Sequence, residues 1–275
     1  MTPVIPPETI PAEGAPKSVW RRLLTRLAAA GAVLWKFKAF VLLAGGKAKL
    51  LLLGLTKLST LLSMLASLAL YWHWYGWRFA LGFVLSIYVH EMGHVAALAR
   101  YGIAATAPMF IPGLGAIVRL KQYPANVAQD ARVGLAGPIW GLAAAAASEV
   151  VALATGSPLW AAIARSGAWI NLFNLIPIWQ LDGGRGFRAL TRHDRVIILG
   201  IALVLWVVTG ESMLLLIALG ALYRLFSHDY PEQADRGVLI QFVGLLAVLA
   251  ALLLLIDRVA QAPMPHSFSS SSRYL

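Results

Sequence analysis

The 275-residue sequence contains no cysteine. Disulfides, thiol nucleophiles and thiolate metal ligands are excluded together, so any metal chemistry must use His, Asp or Glu. Charge is also scarce, since Asp, Glu, Lys and Arg make up 13% of the chain against about 25% in an ordinary soluble domain. A soluble globular chain is excluded. Acidic residues are the scarcest, 12 against 23 Lys and Arg, for a net charge of +11. In so apolar a chain that excess reads as short cytoplasmic loops, not as a nucleic-acid surface. What is present in abundance is hydrocarbon: 59% of residues are hydrophobic. Several nearly uncharged runs of roughly 16 to 23 residues have the length of helices crossing a ~30 Å apolar layer.

The expected fold is an all-α polytopic membrane protein with six or seven transmembrane helices and a short membrane-associated extended hairpin. Residues 1–17 hold five of the 14 prolines and read as a disordered tail. Residues 18–45 carry a helical apolar period with Arg22, Arg26 and Lys36 on another face, as in an amphipathic helix lying on an anionic membrane surface. A transmembrane domain over 50–256 follows, then a flexible tail over 257–275. Its spans are expected at 50–72, 77–100, 133–155, 159–180, 238–256 and a short pair, 195–209 and 212–226, that are full spans or half-spans. Alternate loops gather Arg100, Arg119, Lys121 and Arg132, then Arg185, Arg188, Arg192 and Arg195, then Arg224 and Arg236. That bias predicts a cytoplasmic N-terminus. Tyr71, Trp72, Trp74, Tyr75 and Trp77 form an aromatic belt at the opposite face, with His73 inside it. Glu149 and Arg165 lie seven and nine residues either side of Gly156, and the expectation is that they pair.

The second span ends in IYVHEMGHVAALAR, which contains the pattern His90, Glu91, Met92, Gly93, His94. Two His four residues apart share one face of a helix, about 6 Å apart at Cβ, close enough to grip one ion. Glu91 is turned about 100° away, where it flanks the ion as a general base acting on bound water. Three ionisable groups within five residues of an apolar span need a partner, and a metal suits all three. Catalytic zinc usually has three protein ligands. The third is read as Asp182, which ends an apolar stretch before Gly183 and Gly184 and lies close to the run beginning at Arg185, at the depth of His94. A helix cap is the alternative reading of Asp182.

HEMGH in one span and NLIPIWQLDGG in a later one resemble the site-2 protease family of intramembrane metalloproteases. The likeness covers roughly residues 76–192 and includes VGLAGPIWG, whose Gly137 and Pro138 look like the family's Gly-Pro element. It implies a three-helix core holding one Zn2+ ion on His90, His94 and Asp182, with Glu91 as the base. It further implies that Asn174 holds the substrate or the oxyanion, although an Asn in a span can also bond a neighbouring helix. No interval between spans is long enough for the PDZ or CBS domains of some relatives. The expected activity is hydrolysis of a peptide bond in a single-span membrane protein or remnant membrane peptide, in a lipid bilayer and without nucleic acid. The expected location is a bacterial cytoplasmic membrane with the active site near the cytoplasmic side.

Between the second and third spans, Pro108, Pro112, Gly113 and Gly115 forbid a helix. Two extended pieces around them, with Met109, Phe110 and Ile111 in one and Ala116, Ile117 and Val118 in the other, could offer a strand edge to substrate, or form an interfacial lid. Pro138 lacks the amide of its helical bond, so it and Gly137 form a gate or a static kink. A metal transporter or channel and a noncatalytic zinc-stabilised scaffold are the rival readings. The first would need a second polar constellation along a path.

Overall fold

The computed structural model describes residues 56–105, 109–112, 115–117, 124–178 and 181–261. The expectations for 1–17, 18–45, Val118 and the tail beyond 261 lie outside the described residues. Helices α1 (Thr56–Tyr75) and α2 (Trp77–Arg100) are joined by Gly76 alone. The chain reverses there, because Tyr71 meets Phe83 edge-on at 5.2 Å. Trp72, Trp74, Tyr75 and Trp77 around the turn are exposed, as interfacial aromatics would be.

Strands β1 (Met109–Ile111) and β2 (Gly115–Ile117) pair antiparallel, with Met109 opposite Ile117 and Phe110 opposite Ala116. Phe110 is buried with Tyr71, Ala80, Val84 and Ile87. Its amide donates to Ser63 Oγ at 3.0 Å, which fastens β1 to α1 on the side away from β2.

Helix α3 (Val127–Thr155) begins well before the apolar run expected at 133, because Asn126 caps it by accepting from the Gln129 amide and Asp130 complements its dipole. It runs through Pro138 without a break. Helix α4 (Pro158–Asn174) starts on a proline suited to a first turn. It ends at Asn174, not at 180, and the chain then turns through Leu175, Ile176 and Pro177. Helix α5 (Asp182–Phe187) was not expected, and α6 (Arg192–Thr209) opens on a Thr191–Asp194 capping box. Helix α7 (Ser212–Leu225) precedes α8 (Arg236–Gln261), which continues past 256 into the segment expected to be a tail.

Three described helices, α2, α3 and α8, are long and apolar enough to cross a membrane. The chain is an integral membrane protein, mostly helical. At 1.5 Å per residue α4 is about 26 Å long and α7 about 21 Å, both short of a bilayer core. The larger count of six or seven spans therefore stays a reading of the sequence. Helix α3 sits at the centre and packs on α2, α4, α5 and α8. The main core gathers Leu135, Leu172, Leu175, Phe187, Leu214 and Phe242.

Two electrostatic expectations are corrected. Glu149 does not pair with Arg165: Arg165 Nε donates to Asp257 Oδ1 at 2.8 Å, while Glu149 is buried with its Oε2 unpartnered among the described residues. Counting residues from a turn fixes depth but not the direction a side chain faces round the helix. Arg195, read as a loop charge, is fully buried. Its guanidinium donates to Phe187 O, Arg224 O, Ser227 Oγ, and to Asp229 Oδ1 and O, and it lies 5.6 Å over the Tyr230 ring. Burial acts to raise the Asp229 pKa, but the Ser227 hydroxyl and the Arg224 and Arg195 guanidiniums together hold it below the usual carboxylate range.

Arg195→Ala strands the buried Phe187 O and several partly buried acceptors, and should cost about 1–3 kcal/mol. Arg195→Lys should rescue little, because one ammonium cannot reproduce the fork. Arg165→Ala removes a half-exposed pair and should cost at most about 1 kcal/mol. Thermal unfolding of the three variants in detergent checks the contrast.

Candidate metal centre

The site forms where α2 crosses α3 and α5 closes beneath them. His90, Glu91 and His94 occupy adjacent positions on α2 and are each about 5% exposed. One turn apart, the two rings meet edge to face, 5.0 Å between centroids, with their Nε2 atoms 3.2 Å apart. Across from them Asp182 Oδ2 lies 3.1 Å from His90 Nε2, and Oδ1 lies 3.3 Å from His94 Nε2. Ligand atoms of His90, Glu91 and His94 lie within 4.8 Å of one another. The sequence-predicted set of His90, Glu91, His94 and Asp182 is thus brought together from segments about 90 residues apart.

Local structure explains how Asp182 arrives. Three glycines in DGGRGF give a poor helix former, yet α5 forms because its ends are tied. Arg185 donates twice to Asp130 Oδ1 on α3, at 3.0 and 2.7 Å. Arg195 grips Phe187 O at the other end.

The far side of each imidazole fixes its tautomer. His94 Nδ1 is 2.8 Å from Val133 O, a pure acceptor, so Nδ1 carries the hydrogen. His90 Nδ1 is 2.8 Å from Asn171 Oδ1. The Asn171 amide is oriented by its own nitrogen, which donates to Gly167 O at 2.7 Å. His90 Nδ1 is therefore also a donor. In the neutral rings both Nε2 atoms then present lone pairs to each other and to the Asp182 oxygens.

Four acceptor atoms face one another in a buried space with no donor of their own. Such an arrangement demands positive charge, and a single divalent cation satisfies all four at once. Nitrogen and oxygen donors without sulfur suit one zinc ion. Gly137 supplies the room, because a Cβ there would collide with Nε2 of both His90 and His94. The residues present fit the ion.

The other site candidates are placed differently. Asn174 is the last residue of α4, half-buried, with no side-chain hydrogen bond recorded among the described residues. Pro138 is buried within α3, beside Gly137. Phe110 is committed to the core, whereas Met109 is exposed. Asn171, bonded to a candidate ligand, was not foreseen. In sequence it is one of two asparagines near the end of an apolar span, and only the rotation of α4 distinguishes them.

A model of peptidase family M50 matches residues 78–158, which take in HEMGH and the Gly137–Pro138 element but not Asp182. Over that stretch the chain is similar to this family. It is also 29% identical over 111 residues to a zinc metalloprotease of Methanocaldococcus jannaschii, a match covering 38% of this chain and 32% of that protein. The chain therefore spans about a third of the length of the curated relative it matches.

Gly137→Ala should overpack the centre by about 1–3 kcal/mol. Expressed in metal binding, that is roughly a 5- to 160-fold loss of affinity. Metal content by mass spectrometry after dialysis against graded chelator would measure it.

Proposed function

We propose that the chain is a zinc-dependent intramembrane endopeptidase that hydrolyses a peptide bond in or near the membrane-spanning segment of a protein substrate. The observation that carries this reading is the convergence of His90, His94 and Asp182 on one small acceptor-lined space beside the Glu91 carboxylate. His90, His94 and Asp182 are the proposed ligands and Glu91 the general base. Bound zinc would supply Lewis acidity, lowering the pKa of a water and polarising the scissile carbonyl. Glu91 accepts the proton of the attacking water as the new C–O bond forms. It then delivers that proton to the amide nitrogen as the C–N bond breaks. In this reading Asn174, the last residue of α4, donates its amide to the carbonyl oxygen as negative charge develops there.

Water reaches the site from the near end of α2, since His94 precedes Arg100 by six residues, about 9 Å. The loop charges make that end cytoplasmic, with the N-terminus on the same side. A helical substrate hides its carbonyls in its own hydrogen bonds, so it must unwind before attack. Interior Gly and Pro, costing a helix about 1 and 3 kcal/mol, mark the favoured substrates. Ser63 occupies the outer edge of β1, so an unwound segment would add to β2. A single-span protein or a remnant membrane peptide in a lipid bilayer fits this access. Gly137 and Pro138 serve close packing over the ion in this reading, and a gate there is a further part of the proposal.

Purified protein incubated with a panel of single-span substrates tests the whole. Glu91→Gln should retain zinc while cleavage falls at least about a hundredfold, and Asp182→Ala should lose both. Chelation should stop cleavage and added zinc restore it. Cleavage by Glu91→Gln at the wild-type rate would contradict the mechanism.

A further inference from the structure

We propose that Asn171 is a positioning residue that holds His90 in the tautomer and orientation that turn its Nε2 lone pair to the ion. This rests on the zinc reading above. Three observations on separate helices support it. On α4, the Asn171 amide is locked at both ends, its nitrogen donating to Gly167 O at 2.7 Å and its oxygen 2.8 Å from His90 Nδ1. Donation to Gly167 O settles which end of the amide meets the imidazole, since the reverse orientation would set a carbonyl oxygen against a carbonyl oxygen. On α3, Gly141 leaves the space that the amide fills, because a Cβ at that position would overlap Oδ1, Nδ2 and Cγ of Asn171. On α2, the imidazole has no other recorded partner for Nδ1 among the described residues.

Burial makes the bond consequential. Asn171 is 1% exposed and His90 5% exposed, so water cannot readily replace a lost acceptor. Without one, the neutral ring would place its hydrogen on either nitrogen, and the tautomer protonated at Nε2 cannot bind the ion through Nε2. His94 is served differently, by the backbone oxygen of Val133, which no side-chain substitution removes. The two imidazoles are thus held by unlike devices, and only that of His90 is open to mutation.

The test is the zinc dissociation constant of the full chain in detergent, measured by chelator competition on wild type, Asn171→Ala and Asn171→Asp. Loss of such an outer partner typically weakens metal binding 10- to 100-fold, and that loss is expected for Asn171→Ala. Asn171→Asp keeps an acceptor on Nδ1 and should recover most of the affinity although it cannot donate to Gly167 O. If the truncated variant does not fold, Asn171→Leu, which keeps the bulk and removes the acceptor, takes its place. Wild-type affinity in Asn171→Ala or Asn171→Leu, or an equal loss in the Asp and Ala variants, would overturn the role and reduce Asn171 to helix packing. Failure of the wild type itself to bind zinc would defeat the metalloprotease reading and this inference with it.

Discussion

With both imidazoles neutral, four electron-pair donors point at one another inside a membrane protein and call for a cation, and the fold around them holds them in that arrangement. Water cannot relieve the repulsion, because His90, His94 and Asp182 are each less than a tenth exposed. Rotation of the rings cannot relieve it either, because each Nδ1 is bonded on its far side, to Asn171 and to Val133 O. The Asp182 carboxylate is held in turn by an anchored short helix, tied through Arg185 to Asp130 and through Phe187 O to Arg195. The resulting demand for positive charge is met most simply by a metal ion, and it turns a set of packed helices into a reactive centre.

The division of labour between helices follows from this. Helix α2 carries His90, Glu91 and His94, α3 supplies absence of bulk at Gly137 and Gly141, and α4 brings the Asn171 amide oxygen to His90 Nδ1. Small residues suit helix contacts in lipid, where there is little hydrophobic drive to hold helices together and close approach provides the attraction. Here the same small residues also leave the volume in which the two imidazole Nε2 atoms and the Asn171 amide sit.

The candidate site residues were more legible in the sequence than the packing that surrounds them. His90 and His94 announce themselves because a helix puts i and i+4 on one face, and Asp182 because a carboxylate after an apolar run at matching depth has few other uses. Depth along the membrane can be counted in residues, and direction round a helix cannot. That is why Glu149 and Arg165, level across a turn, were expected to pair, and why Asn174 was noticed while Asn171, three residues earlier, was not. Arg195 escaped notice for a related reason. An arginine at the start of a helix looks like a loop charge until residues 224–230 close over it. Helix α5 was missed because its glycine-rich sequence has little intrinsic helicity, and tertiary ties to Asp130 and Arg195 supply what propensity does not.

Zinc K-edge X-ray absorption on the purified full chain tests the central claim most directly. The account predicts one zinc per chain, coordinated only by nitrogen and oxygen at about 2.0–2.2 Å with two imidazoles, and the loss of one imidazole in His90→Ala. A chain that takes up no zinc, or a spectrum whose imidazole count is unchanged by His90→Ala, would contradict it.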